Sequence, residues 1–134
     1  MATVLSATAE GIFALQEFTP SEMQKPILGC RARDILICGG VRGAKSTCST
    51  KLLWIRKQWG VKQRFGLLGA DYRRTTSEFE MLSADAQRMG IWVEKGSTLR
   101  VDPGMILLED GTIIETLSGK DPETVAMHAY DGII

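Results

Sequence analysis

The sequence predicts an α/β fold built around a parallel sheet, and three observations carry that expectation. Two short, continuous apolar runs, Asp34-Ile35-Leu36-Ile37-Cys38 and Arg64-Phe65-Gly66-Leu67-Leu68-Gly69-Ala70, suit strands buried on both faces. Each run is followed by a stretch of helical periodicity, giving the order strand, helix, strand, helix. The chain has 134 residues, 44% hydrophobic and 24% charged, enough for one domain with a real core.

Residues 1–10 are small and polar and read as a frayed end. Residues 11–30 have a mixed pattern broken by Pro20 and Pro26; Thr19 is the expected N-cap of a short helix with Pro20 at its first position. The first long helix is expected over 46–59. Leu52, Leu53, Ile55 and Trp59 fall close to one face, Lys51, Arg56 and Lys57 can face water, and Gly60 is the stop. A second helix is expected over 76–89, where Phe79, Leu82, Ala86 and Met89 recur at helical spacing before Gly90. Short β-like pieces follow at 91–93, 98–101, 105–109 and 112–116, and Asp110-Gly111 between the last two signals a hairpin. Glu109 and Asp110 are read as turn chemistry. A helix over 121–128 has Asp121 as N-cap and Pro122 at its first position, and Gly132-Ile133-Ile134 reads as the opening of another buried strand.

No run approaches the ~20 apolar residues of a membrane span, and residues 1–11 lack the basic and apolar segments of a secretory leader. A cytosolic location is expected. Cys30, Cys38 and Cys48 form no CxxC pair, and the single histidine, His128, is remote in sequence. Three reduced, mostly buried thiols are therefore expected rather than a zinc site. His128 has no visible nucleophile partner and is read as structural or solvent-facing. The formal net charge is zero, so composition gives no support for strong DNA contact by this segment.

The most informative segment is Gly39-Gly40-Val41-Arg42-Gly43-Ala44-Lys45-Ser46-Thr47. It follows the phosphate-loop pattern G-x-x-x-x-G-K-[ST], except that Ala44 replaces the second glycine, with Gly43 beside it. An expected buried strand precedes the loop and an amphipathic helix follows it, the context this motif requires. Glycines let backbone N–H groups turn toward phosphate oxygens, and the helix start adds partial positive charge. Lys45 is expected to neutralise the β- and γ-phosphates of ATP, and Ser46 to coordinate Mg²⁺. Arg42 either reaches the γ-phosphate or stays solvated. The competing reading is a glycine turn with Lys45 as a surface residue. Placement argues against it, because a cation in the first helical turn opposes the helix dipole unless an anion binds there. The Cβ of Ala44 is the feature that could crowd an approaching phosphate.

Residues 38–47 resemble the phosphate loop of phage terminase large subunits, the ATPases of viral DNA-packaging motors, many of which carry an arginine in this loop. Gly69-Ala70-Asp71-Tyr72-Arg73-Arg74-Thr75 with Ser77-Glu78-Phe79 is similar to their second strand and helix. Ser118-Gly119-Lys120-Asp121-Pro122-Glu123-Thr124, ending in Asp131-Gly132-Ile133-Ile134, looks like the approach to their Walker B strand. The resemblance covers about two-thirds of the chain. It implies a RecA-like ATPase domain, with a parallel sheet, flanking helices and a β-hairpin insertion, of which residues 1–134 form an incomplete N-terminal part without the nuclease domain. It implies ATP and Mg²⁺ as ligands. It also implies double-stranded DNA, the small terminase subunit and the portal as partners of the full-length protein, with the host cytoplasm as its location and no membrane contact. Phe18, Pro20 and Gln24 match an upstream arrangement in which the glutamine reads adenine; an ordinary helix-surface amide is the alternative for Gln24. Arg42 is the family's γ-phosphate sensor by type, though some members place that arginine one residue earlier. Arg73 and Arg74 could touch DNA, or form a solvated pair at a helix start.

The Walker B aspartate and the neighbouring water-activating glutamate have no counterpart before Ile134. The expectation is therefore that this chain binds ATP·Mg²⁺ weakly without efficient hydrolysis. The rival readings are a small stand-alone nucleotide-binding enzyme and a non-catalytic gene remnant.

Overall fold

The computed structural model describes residues 9–38, 45–100 and 102–134. Its centre is a four-stranded sheet formed by β1 (Arg64–Gly69), β2 (Met105–Leu107), β3 (Ile113–Ser118) and β4 (Gly132–Ile133), in the order β2-β3-β1-β4. Strand β1 runs parallel to both β3 and β4, and β2 lies antiparallel on β3. Five helices accompany it: α1 (Ala9–Leu15), α2 (Gln24–Leu28), α3 (Lys45–Arg56), α4 (Thr76–Arg88) and α5 (Pro122–Ala126). The architecture is mixed α/β with a mostly parallel open sheet. Among the described residues, no helix is long and apolar enough to cross a membrane.

Register sets the two faces of the sheet. Phe65 pairs with Ile114 and Leu67 with Thr116, and alternation along each strand sends these side chains to one face. There Phe65, Leu67 and Ile114 join a core with Ile12 and Phe13 of α1, Leu53 and Trp54 of α3, and Phe79 and Leu82 of α4. Tyr130 lies on the other face and donates to Glu115 Oε1 at 2.6 Å. Burial and that bond push the Tyr130 phenol up to about 12. Gly66 makes room for it: a Cβ there would sit 2.4 Å from Leu117 Cδ1 and 3.5 Å from Tyr130 Cδ1.

A buried ion pair joins α3 to α4. Lys51 Nζ donates to both carboxylate oxygens of Asp85 at 2.9 Å, and Trp54 Nε1 donates to Oδ2 at 3.1 Å. The Lys51 ammonium also stands 4.8 Å from the centroid of the Phe18 ring. Lys57 is likewise buried and pairs with Asp110 Oδ2 at 2.5 Å. Both lysines therefore depart from the water-facing placement expected for them, whereas Arg56 is exposed. Helix α3 buries Thr50, Lys51, Leu52, Leu53 and Trp54 in succession, so it is covered on nearly all sides. A lysine there offsets the cost of burial by pairing with a carboxylate on a neighbouring element.

The hairpin forms at Asp110-Gly111 as expected. Gly111 N–H donates to Leu108 O at 2.9 Å and Leu108 N–H to Thr112 O at 2.9 Å, with Gly111 at φ 87°. This is a turn closed by a left-handed residue. Asp110 Oδ1 accepts the Thr112 N–H at 3.0 Å. Burial raises the Asp110 carboxyl, but Lys57 and Thr112 outweigh it and hold the group below the usual range. The hairpin is not an insertion, because its second strand, β3, sits inside the sheet between β2 and β1.

Other expectations change in identifiable ways. Helix α4 matches its expected span to within a residue and ends before Gly90 at φ 71°. The Asp121 side chain caps α5 by accepting from Thr124 N–H, and Pro122 occupies the first helical turn. Helix α3 ends at Arg56, ahead of Gly60. The run at 34–38 joins no ladder: Leu36 is 88% exposed, while Ile35 and Ile37 pack partly against the core. The strand buried on both faces expected here therefore does not form: Asp34, Leu36 and Cys38 are exposed, and only Ile35 and Ile37 are half-buried. The expected β pieces at 91–93 and 98–101 reduce to single bridges, Trp92 with Leu108 and Thr98 with Met105. The Thr19 and Pro20 start is displaced to Ser21 and Gln24, which exchange bonds reciprocally: Ser21 N–H to Gln24 Oε1 at 2.9 Å and Gln24 N–H to Ser21 Oγ at 3.3 Å.

Replacing Lys51 with Met strands the Asp85 carboxylate in the core, so Lys51→Met is expected to cost about 3–5 kcal/mol in urea unfolding. The double change Lys51→Met/Asp85→Leu is expected to recover most of that loss. A single-mutant loss under ~1 kcal/mol would show that the pair does not hold α3 on α4.

Candidate functional site

The carboxyl ends of β1 and β3 meet at one edge of the sheet. Gly119 N–H donates to Gly69 O at 2.8 Å, joining the residues that leave the two strands. Past β1, the Asp71 side chain accepts from Arg74 N–H and starts the turn Tyr72–Thr75, which leads directly into α4. In open α/β sheets this edge is where loops and helix starts converge on ligands.

The amino end of α3 lies at the same edge. Lys45, Ser46 and Thr47 open the helix and are each half-buried. Ser46 Oγ donates to Glu78 Oε1, in the first turn of α4, at 2.6 Å. The second carboxylate oxygen, Glu78 Oε2, is shielded from solvent and has no hydrogen-bond partner among the described residues. Ser49 Oγ and Thr50 Oγ1 turn back onto the carbonyls of Ser46 and Thr47 at 2.9 Å each, which ties down the first turn. The expected phosphate-binding positions Gly39, Gly40, Val41, Arg42, Gly43 and Ala44 lie outside the described residues.

Gln24 is not a helix-surface amide. It is buried, its Oε1 is taken by the Ser21 N–H, and its side chain also bonds to Cys48 on α3. Arg73 and Arg74 are both exposed in the turn before α4. His128 is exposed, with its ring edge-on to Tyr130 at 6.2 Å.

No family model matches the chain, and comparison with curated proteins and with solved structures finds no match. The case for function therefore rests on the residues themselves.

Glu78 is the residue that motif reading passed over. It carries no place in the phosphate-loop pattern, and within the sequence it is one acidic residue in a first helical turn, where a carboxylate also offsets the helix dipole. Only the packing of α3 against α4 brings it to Ser46. The three cysteines are free, but only Cys48 is buried; Cys30 is half-buried and Cys38 exposed. Burial pushes the Cys48 thiol up, partly offset by its bond with Gln24. Titration with a disulfide reagent at neutral pH is expected to modify Cys38 first and Cys48 only on unfolding. Fast modification of Cys48 in the folded protein would contradict the packing of α2 on α3.

Proposed function

We propose that this chain is the nucleotide-binding part of a viral DNA-packaging motor of the phage terminase large-subunit type, with a RecA-like ATPase domain. The observation that carries the reading is the amino end of α3. It presents Lys45, Ser46 and Thr47 at the carboxyl edge of a parallel sheet, next to the carboxylate of Glu78.

The residues at this site fit ATP with Mg²⁺. Ser46 and Glu78 offer hard oxygen donors, the type that suits Mg²⁺. Among the described residues no group of three or more His, Cys, Asp or Glu could hold a metal ion. When bound, Mg²⁺ supplies charge neutralisation on the transferring phosphate. Lys45 contributes a compact positive charge to the β- and γ-phosphates, and the first N–H groups of α3 point the same way. Ser46 offers its hydroxyl to the ion. Arg42 is assigned to the γ-phosphate, and Gly39, Gly40, Val41, Gly43 and Ala44 to backbone contact. Gln24 reads adenine only after its side chain leaves Ser21 and Cys48. On this reading the partners are double-stranded DNA, a small terminase subunit and a portal, in the host cytoplasm.

Titration of a fluorescent ATP analogue with Mg²⁺ tests the site. Wild type is expected to bind, and Lys45→Ala to bind at least ~10-fold more weakly, the loss of one charge-assisted contact. Equal binding by the two proteins would mean the loop is only a turn.

A further inference from the structure

The Ser46 hydroxyl and the Glu78 carboxylate are the first polar atoms on α3 and α4 to meet, at 2.6 Å. If the contact served only to tie two helices together, one oxygen would be enough. The carboxylate instead leaves Oε2 shielded from solvent with no partner among the described residues. A shielded acceptor without a partner is costly, more so when charged, and such groups in folded proteins call for a specific explanation, an ion among them. We propose that Glu78 completes a divalent-cation site with Ser46, and so makes nucleotide binding by this chain conditional on the metal. This inference rests on the nucleotide site proposed above.

The chemistry is asymmetric. With a divalent cation present, the unused Glu78 oxygen gains a partner, either the ion or a water of its hydration shell, and Ser46 contributes its hydroxyl alongside. Without the cation, the same carboxylate stands near incoming phosphates and repels them. Lys45 adjoins Ser46 in the chain and serves the phosphates in either case. One residue thereby strengthens binding of the metal complex and weakens binding of the free nucleotide. Glu78→Gln keeps the shape and an acceptor for Ser46 while removing the charge, and so separates this role from a structural one.

The test measures Mn²⁺ binding by electron paramagnetic resonance with a non-hydrolysable ATP analogue, together with analogue affinity with and without Mn²⁺. Wild type, Glu78→Gln and Ser46→Ala are compared, with a thermal melt confirming that each is folded. In Glu78→Gln the Mn²⁺ affinity of the ternary complex is expected to fall 10-fold or more, on the order of losses at supporting metal-site residues. Metal-free analogue affinity is expected to hold or rise, so the enhancement by Mn²⁺ collapses. Should Glu78→Gln shift only the melting temperature and leave both affinities at wild-type values, Glu78 is a helix tie and the inference is overturned, with the nucleotide site intact. Absence of any analogue binding by folded wild type would overturn both.

Discussion

The buried carboxylate of Asp85 is the constraint on which the site depends. It is 3% exposed and takes bonds from Lys51 and Trp54 on α3, with Arg88 at 4.0 Å. A charge at that depth is tolerated only while its partners stay in place. The requirement fixes both the rotation of α3 and its axial position against α4. Ser46 lies ahead of Lys51 on one helix and Glu78 ahead of Asp85 on the other, so both pairs meet with the helices running in the same sense. The alignment of Ser46 with Glu78 is thus held from deeper in the core, where rearrangement is costly. The sheet below adds the second constraint, because β1 delivers the chain into α4 at its carboxyl edge.

A second pair, buried Lys57 with half-buried Asp110, performs a similar task at the other end of α3. It ties the helix to the β2–β3 hairpin, and Lys57 Nζ also donates to Gln58 O at 3.0 Å and lies 5.0 Å from the centroid of the Trp59 ring. Helix α3 is therefore anchored to two elements by lysines, behind the opening turn proposed to meet the nucleotide.

Local signals were legible in the sequence where neighbours in the chain settle the structure. The 76–89 periodicity, the Asp110-Gly111 turn and the Asp121-Pro122 cap all depend on residues within a few positions of each other, and all three appear in the fold. Partners remote in sequence were not legible. Lys51 and Lys57 looked solvent-facing because lysine usually is, and their carboxylates lie 34 and 53 residues away. Glu78 was unreadable as a site residue for the same reason, standing 32 positions from Ser46. The run at 34–38 read as a buried strand, yet it is at most half-buried and unpaired, because apolarity alone chooses neither a ladder partner nor a cover. Helix α1 went unread because residues 11–30 mix apolar and polar positions without a clean period, although Ile12 and Phe13 turn into the core.

The account stands or falls on whether the opening turn of α3 is where a nucleotide lands. Backbone amide spectra of the isotope-labelled chain, recorded as a non-hydrolysable ATP analogue with Mg²⁺ is added, address that residue by residue. The account predicts that the largest shifts fall on Lys45, Ser46 and Thr47, with a second group at Glu78 and its neighbours on α4. Saturable shifts centred elsewhere, or a folded spectrum that does not change, would contradict it.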